Sequence, residues 1–319
     1  TDPAELQGLP DDVLNFAKKA AKVKGEDGYL LTLNGASPGN FPALSHCENA
    51  ELRKTLSLAI TTRASDKGPH AGKFDNSEIM MKILSLRHEQ AQLLSFANFA
   101  EYSLASKMAE TPKQVMAFLN DLVMKSKATA QSEMKTLREF ARQKYGVESF
   151  EPWDIAFYSE QQKKDLFDIC NEQLRPYFPA PRVVSGMFQV VNKLFSIDVK
   201  EVFDMSTWHK DVRTFGIYQD ENLIARFYLD LYARSKKRGG AWVGVCQTRR
   251  VLQDGTLQLP IAYVTCNFPG PVGDRPALLS HKNVVTLFHE FGHGLQHMLT
   301  RIDCAAVSGM NGVAWDAIE

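Results

Sequence analysis

A change of hydrophobic period along the chain does most to limit how it can fold. From about residue 11 to residue 194 apolar side chains recur at helical spacing. Between about 214 and 268 they fall into short strand-like runs, and helical spacing returns at 281. A sheet confined to one late stretch must be covered by helices, because each strand layer buries a face against another element. The expected fold is mainly α with one small, antiparallel β-sheet.

Val13, Leu14, Phe16, Ala17, Ala20 and Ala21 form one stripe with lysines opposite, which predicts a helix over 11–24. Residues 28–34 read as a short strand, followed by a loop marked by Asn34-Gly35 and Ser37-Pro38-Gly39-Asn40. Long helical patterns cover 51–64, 77–109 and 111–145; Thr111-Pro112 opens the last with a cap and a proline in the first turn. Two more helices are expected over 159–174 and 183–194, punctuated by Pro176, Pro179 and Pro181. Strands are expected from about 214, then over 222–232, 242–249 and 259–268, with turns at Gly239-Gly240 and Asp254-Gly255. Ser280 is a natural cap for a helix over 281–299.

Lys+Arg and Asp+Glu are both 37, so no net basic field attracts nucleic acid or an anionic membrane surface. No apolar run is long enough to span a bilayer. Neither nucleic acid nor membrane is an expected partner. Cys47, Cys170, Cys246, Cys266 and Cys304 are dispersed without a C-x-x-C pair, the usage of free thiols in a reducing, cytoplasmic location. The chain opens on Thr1-Asp2-Pro3, with no initiator methionine or signal segment. It closes at Glu319 inside a helical pattern with no stop signal, and so reads as a piece of a longer protein.

The chemistry concentrates in Leu287–Met298, LFHEFGHGLQHM. His289 and His293 are one helical turn apart, so their imidazoles project from one face and suit two positions on a single Zn²⁺. Glu290, beside the first histidine, can reach a metal-activated water as general base without being a ligand. Val284, Leu287, Phe288, Phe291, Leu295 and Met298 make the helix apolar and, on this reading, buried. A third ligand is needed. Glu319, on a second helix expected over 312–319, could close a His₂Glu site with one position open, or could be an exposed helix carboxylate. His297 could pair with His293 on spacing alone, but no glutamate follows His293 as base; lining the cleft or a supporting hydrogen bond is the other reading. Asp316, one turn before Glu319, could orient a ligand or face solvent.

The stretches 151–160 (EPWDIAFYSE), 175–179 (RPYFP), 227–234 (FYLDLYAR), 237–242 (KRGGAW), 266–268 (CNF), 286–295 (TLFHEFGHGL) and 307–319 (VSGMNGVAWDAIE) together resemble the thimet oligopeptidase family of zinc metallopeptidases. The resemblance runs over nearly the whole chain, most clearly from about Leu44. It implies one Zn²⁺ per chain held by His289, His293 and Glu319, with Glu290 as base. It also implies a zincin-like fold, a mostly helical two-lobed body around a deep channel that admits short peptides. Residues 1–45 would be the end of a helical N-terminal region, and 46–319 the catalytic domain without its C-terminal part. Family members continue past the third ligand into a part that supplies a histidine and tyrosines for the oxyanion and the substrate, and nothing in this chain replaces them.

The expected activity is hydrolysis of internal bonds in short peptides, in a protein that is monomeric at full length. Two rivals remain: a dipeptidyl carboxypeptidase of the same wider family, and a metal- or peptide-binding fragment that cannot turn over. The strand 260–268 is a candidate edge for pairing with an extended peptide, or an ordinary core strand. Tyr263, Cys266 and Asn267 on it, with His297 and Gly309, are candidate substrate-binding positions. An inert thiol at Cys266 and a turn glycine at Gly309 are the plainer readings. Lys236-Lys-Arg238 reads as a solvated turn.

Overall fold

Polar caps fix where four of the helices begin. Asn49, Asn98, Thr111 and Ser280 accept the backbone N–H of Leu52, Glu101, Gln114 and Asn283, satisfying a donor that each helix start leaves open. In the computed structural model, residues 3–33, 40–168, 171–271, 273, 275–311 and 313–318 are described. Asn34-Gly35, residues 37–39, Cys170, Gly312 and the candidate ligand Glu319 lie outside them. The chain forms two compact units, one of Thr1–Leu33, Gly39–Asp168 and Ala314–Glu319, the other of Asn34–Pro38 and Ile169–Val313. The expected catalytic region contributes to both.

The first unit holds α1 (Asp11–Val23), α2 (Asn40–His46), α3 (Ala50–Thr61), α4 (Ser77–Leu93), α5 (Phe99–Leu104), α6 (Pro112–Tyr145) and α7 (Ile155–Phe167). The single helix expected over 77–109 is broken between α4 and α5. Ser95 takes a left-handed φ of 64°, Gln92 donates to the carbonyls of Phe96 and Ala97, and Asn98 starts a new helix. No strand forms across 29–33. Leu30 N–H instead bonds the Ala17 carbonyl of α1 at 3.0 Å, and Arg63, in the turn after α3, donates to the Leu33 carbonyl at 2.8 Å, so these backbone groups are met outside any sheet. Of the helix expected over 312–319, the described part is one 3₁₀ turn, Trp315–Ala317, too short to nucleate an α-helix. Asp316 stays exposed and accepts the Met108 and Ala109 N–H groups at 3.0 and 3.1 Å.

The second unit holds α8 (Asn171–Leu174), α9 (Ala180–Phe195), β1 (Asp198–Glu201), β2 (Arg213–Gln219), β3 (Asn222–Tyr232), β4 (Trp242–Gln247), β5 (Arg250–Val251), β6 (Leu257–Gln258), β7 (Ile261–Phe268) and α10 (His281–Met298). Five strands make one sheet in the order β1-β2-β3-β7-β4. All pairings are antiparallel as expected except β3 with β7, which is parallel. The reason is topological. β4 lies two strand spacings from β3, and β7 returns antiparallel to β4 into the slot between them. The strand expected to offer an open edge, β7, is therefore interior, and the edge on that side is β4.

Strand alternation sends Phe227, Leu229, Ala262, Val264 and Cys266 to the face covered by α9 and α10. There Phe188, Phe215, Phe227 and Phe291 pack as one aromatic cluster with centroids 5.0–6.1 Å apart.

Arg53 links the two cores of the first unit, one around Val13, Ala43, Cys47 and Leu56 and the other around Leu137, Ala141, Phe157 and Tyr158. It is 1% exposed. Its guanidinium donates to Asp154 Oδ1 at 2.6 Å and to the Cys47 and Glu48 carbonyls at 2.8 and 3.0 Å, and lies 4.3 Å over the Phe157 ring. Asp154→Ala leaves that charge buried without its counter-ion. The expected cost is about 3 kcal/mol, read as a fall in the urea midpoint, with part recovered in the Arg53→Met/Asp154→Ala double variant.

Candidate metal centre

The site is built on α10, which starts with a reciprocal cap between Ser280 and Asn283. Leu287, Phe291, Gly294 and Met298 form its buried stripe. At Gly294 an added Cβ would already touch Met298 and Val264 at 3.3–3.4 Å, so helix and sheet meet closely there. With that stripe inward, His289 is forced to the exposed side and His293 to the boundary, while Glu290 is 7% exposed. The expectation that the whole helix is buried is corrected accordingly: Val285 and Phe288 are also exposed.

The two Nε2 atoms are 3.1 Å apart, with ring centroids at 4.6 Å and planes at 85°. Two nitrogens each ~2.05 Å from one tetrahedral Zn²⁺ would stand ~3.3 Å apart. The pair fits one ion with very little movement. Without an ion the same spacing is an N–H···N hydrogen bond between rings of opposite tautomer. Among the described residues no third histidine, cysteine or carboxylate joins them in a metal-holding group.

The remaining candidates are spread over three places. Cys266 faces α10 but is 0% exposed. Its thiol is pushed up to about 12, by burial first and the Glu290 charge second, which makes it a poor nucleophile. Tyr263 and Asn267 point to the opposite sheet face. Tyr263 packs against Trp208 and Tyr228 at 5.5 and 5.1 Å, its hydroxyl pushed up to about 12 by a hydrogen bond with Cys246 and by burial. Asn267 donates to the Arg238 and Gly240 carbonyls. His297 is wholly buried, its Nε2 bonding the Gln247 carbonyl at 2.9 Å, and burial holds its pKa below the ordinary value. Gly309, at φ +63°, packs on the His297 ring.

An ionic cluster on that opposite face was not legible as one. Asp230 accepts hydrogen bonds from Nη1 and Nη2 of Arg234, from the Lys237 ammonium at 2.8 Å and from the Trp208 indole N–H at 3.3 Å. Lys237, expected in a solvated turn, has a buried side chain, because it turns back to meet the Asp230 carboxylate and the Asp230 and Tyr232 carbonyls. The Asp230–Arg234–Lys237 spacing in the sequence was the available signal.

Residues 43–319 match the model of peptidase family M3. The chain belongs to peptidase family M3. The resemblance drawn from the sequence motifs is thereby borne out, and the mainly α fold with its small sheet agrees with it. This M3 chain is 53% identical to oligopeptidase A of Salmonella typhimurium and, equally, of Escherichia coli, each over 320 residues, 100% of this chain and 47% of the relative. Dipeptidyl carboxypeptidase of Escherichia coli is 35% identical over 315 residues, 97% of this chain and 45% of that protein. The chain spans about half the length of the curated relatives it matches. Among the described residues no helix is long and apolar enough to cross a membrane.

The Asp230 cluster yields a pH prediction. Burial alone would raise the Asp230 carboxyl, but the hydrogen bonds from Arg234 and Lys237 outweigh it and hold it below the ordinary value. Its charge therefore stabilises the fold above about pH 4, and that contribution is lost as the pH falls through the depressed folded value. Asp230→Asn is expected to cost about 1–3 kcal/mol at neutral pH and to flatten the acid limb of a plot of urea midpoint against pH.

Proposed function

We propose that this chain is the zinc-bearing part of a cytoplasmic oligopeptidase that hydrolyses internal bonds of short peptides. The observation that carries the reading is the His289–His293 pair, two Nε2 atoms 3.1 Å apart on one side of α10 with Glu290 next to them. His289, His293 and Glu319 would hold one Zn²⁺. When bound, zinc supplies a Lewis acid that polarises the scissile carbonyl and acidifies water. Glu290 takes a proton from the attacking water on its carboxylate and passes it to the leaving amine nitrogen. Glu290 is 7% exposed, which limits the freedom of that carboxylate.

Peptide is held by backbone rather than by side chain. β4 is a sheet edge, and it lies on the flank of α10 that carries His297 and, two turns earlier, Glu290. An extended peptide adding to that edge would present successive carbonyls to the site with little sequence preference. Family membership and the 53% identity to proteins named oligopeptidase A, against 35% to one named dipeptidyl carboxypeptidase, favour internal cleavage. The substrate, the metal and full activity belong to the longer protein that this chain's relatives represent.

Glu290→Gln should keep a full zinc content and lower kcat by about 10²–10⁴-fold, whereas His293→Ala should lose the metal. Both are read by metal analysis beside cleavage of a quenched peptide in a form extended beyond Glu319. Near-parental turnover in Glu290→Gln rejects the assignment. Amidating the peptide's C-terminus separates the two family activities: an oligopeptidase still cuts it, and a dipeptidyl carboxypeptidase does not. If residues 1–319 alone bind zinc but leave the peptide intact while the extended form cuts it, this part is a metal-binding body that needs the rest for turnover.

A further inference from the structure

We propose that His297 is a positioning residue, pinning the edge strand β4 to the metal-bearing helix and thereby setting where an extended peptide lies relative to His289 and His293. The pinning is a statement about this chain's own packing; its consequence for substrate rests on the peptidase reading above.

A carbonyl oxygen can only accept, so the 2.9 Å contact with Gln247 is a bond donated by His297 Nε2–H. The other ring nitrogen, Nδ1, is buried without a hydrogen-bond partner. It faces Gly309, where a Cβ would fall 2.5 Å from Nδ1 and 3.1 Å from the His297 backbone. The ring is thus held by one directed bond at one end and by close-packed backbone at the other. A histidine placed to bind metal would turn its bare nitrogen to an open site, and this one turns it to a glycine.

The place of the bond matters. Gln247 ends β4 just after the register with β7 slips between Val245 and Gln247, so the ladder is irregular where His297 takes hold. An edge strand has one neighbour, and its outer position depends on ties of this kind. The chain beyond β4 is secured to the loop after α10. Arg249 meets Asp303 at 2.6 Å, Val251 N–H bonds the Asp303 carbonyl at 3.2 Å, and Asn311 reaches Thr248 at 3.4 Å. His297 supplies the corresponding tie to α10 itself.

The test compares the parent with His297→Leu, which fills similar space without a donor, and His297→Gln, whose amide nitrogen can replace Nε2. Amide exchange is followed by mass spectrometry over 242–251 and over β7, with zinc content, kcat and KM measured in the extended form. In His297→Leu, exchange over 242–251 is expected to rise about tenfold or more with β7 unchanged. Zinc content stays parental, and KM for a peptide long enough to lie along β4 rises while kcat changes little. His297→Gln restores both. Should His297→Leu not fold, His297→Asn, too short to reach the Gln247 carbonyl, takes its place with the same expected pattern. Parental exchange over 242–251 in the variant lacking the donor overturns the proposal, as does a Gln variant as impaired as the Leu one. A parent that holds no zinc and cuts no peptide overturns the peptidase reading, and the exchange result then still decides the tie between His297 and β4.

Discussion

The packing of one helix against one sheet face sets where every candidate site residue on α10 points. Leu287, Phe291 and Met298 are buried among Phe215, Phe227, Leu229 and Val264, and that contact fixes the rotation of α10 about its axis. A helix so clamped has no freedom over where its other residues go. His289 and His293 must leave on the side away from the sheet, and Glu290 and His297 must lie on the flank towards β4. A rotation of one residue, about 100°, would bury an imidazole and expose a phenylalanine, so the apolar stripe protects the chemistry as well as the fold.

The sheet contributes through its order. Because β7 enters between β3 and β4, a short strand with a bulge is left at the edge nearest α10. An interior β7 gives the sheet its core and an outer β4 leaves backbone groups open to a peptide. The sequence left one strand open as core element or sheet edge; β7 is the core element, and the edge falls to its neighbour β4. The far face carries a separate structure, the Trp208–Tyr228–Tyr263 stack and the ion cluster around Asp230. Tyr263 and Asn267, at odd positions of β7, belong to that face because side chains alternate along a strand, while Cys266 faces α10.

Local periodicity was enough for most of the helices and for the span of β3, because each of those signals lies within a few turns of chain. It was also enough for the histidine pair, since residues four apart on a helix meet whatever surrounds them. Features that depend on distant partners were not legible. The break at 94–98 is set by Ser95 and the Asn98 cap rather than by loss of apolar pattern. The absence of a strand at 29–33 follows from Ala17 and Arg63 taking its backbone groups. The parallel β3–β7 pair follows from where β4 lands, and the burial of Lys237 from Asp230 lying seven residues upstream on a strand. For His297 spacing left a ligand, a cleft-lining residue and a supporting hydrogen bond open, because it cannot tell a bare nitrogen facing an ion from one facing Gly309; the observed contact is a hydrogen bond to the Gln247 carbonyl.

The central claim is that His289 and His293 share one zinc ion. Zinc-edge X-ray absorption on the metal-loaded protein addresses it directly. The account predicts one equivalent of bound zinc with a first shell of two imidazole nitrogens and oxygen donors at about 2.0–2.2 Å. A shell dominated by sulfur at about 2.3 Å, or the same spectrum after both histidines are replaced, would contradict it.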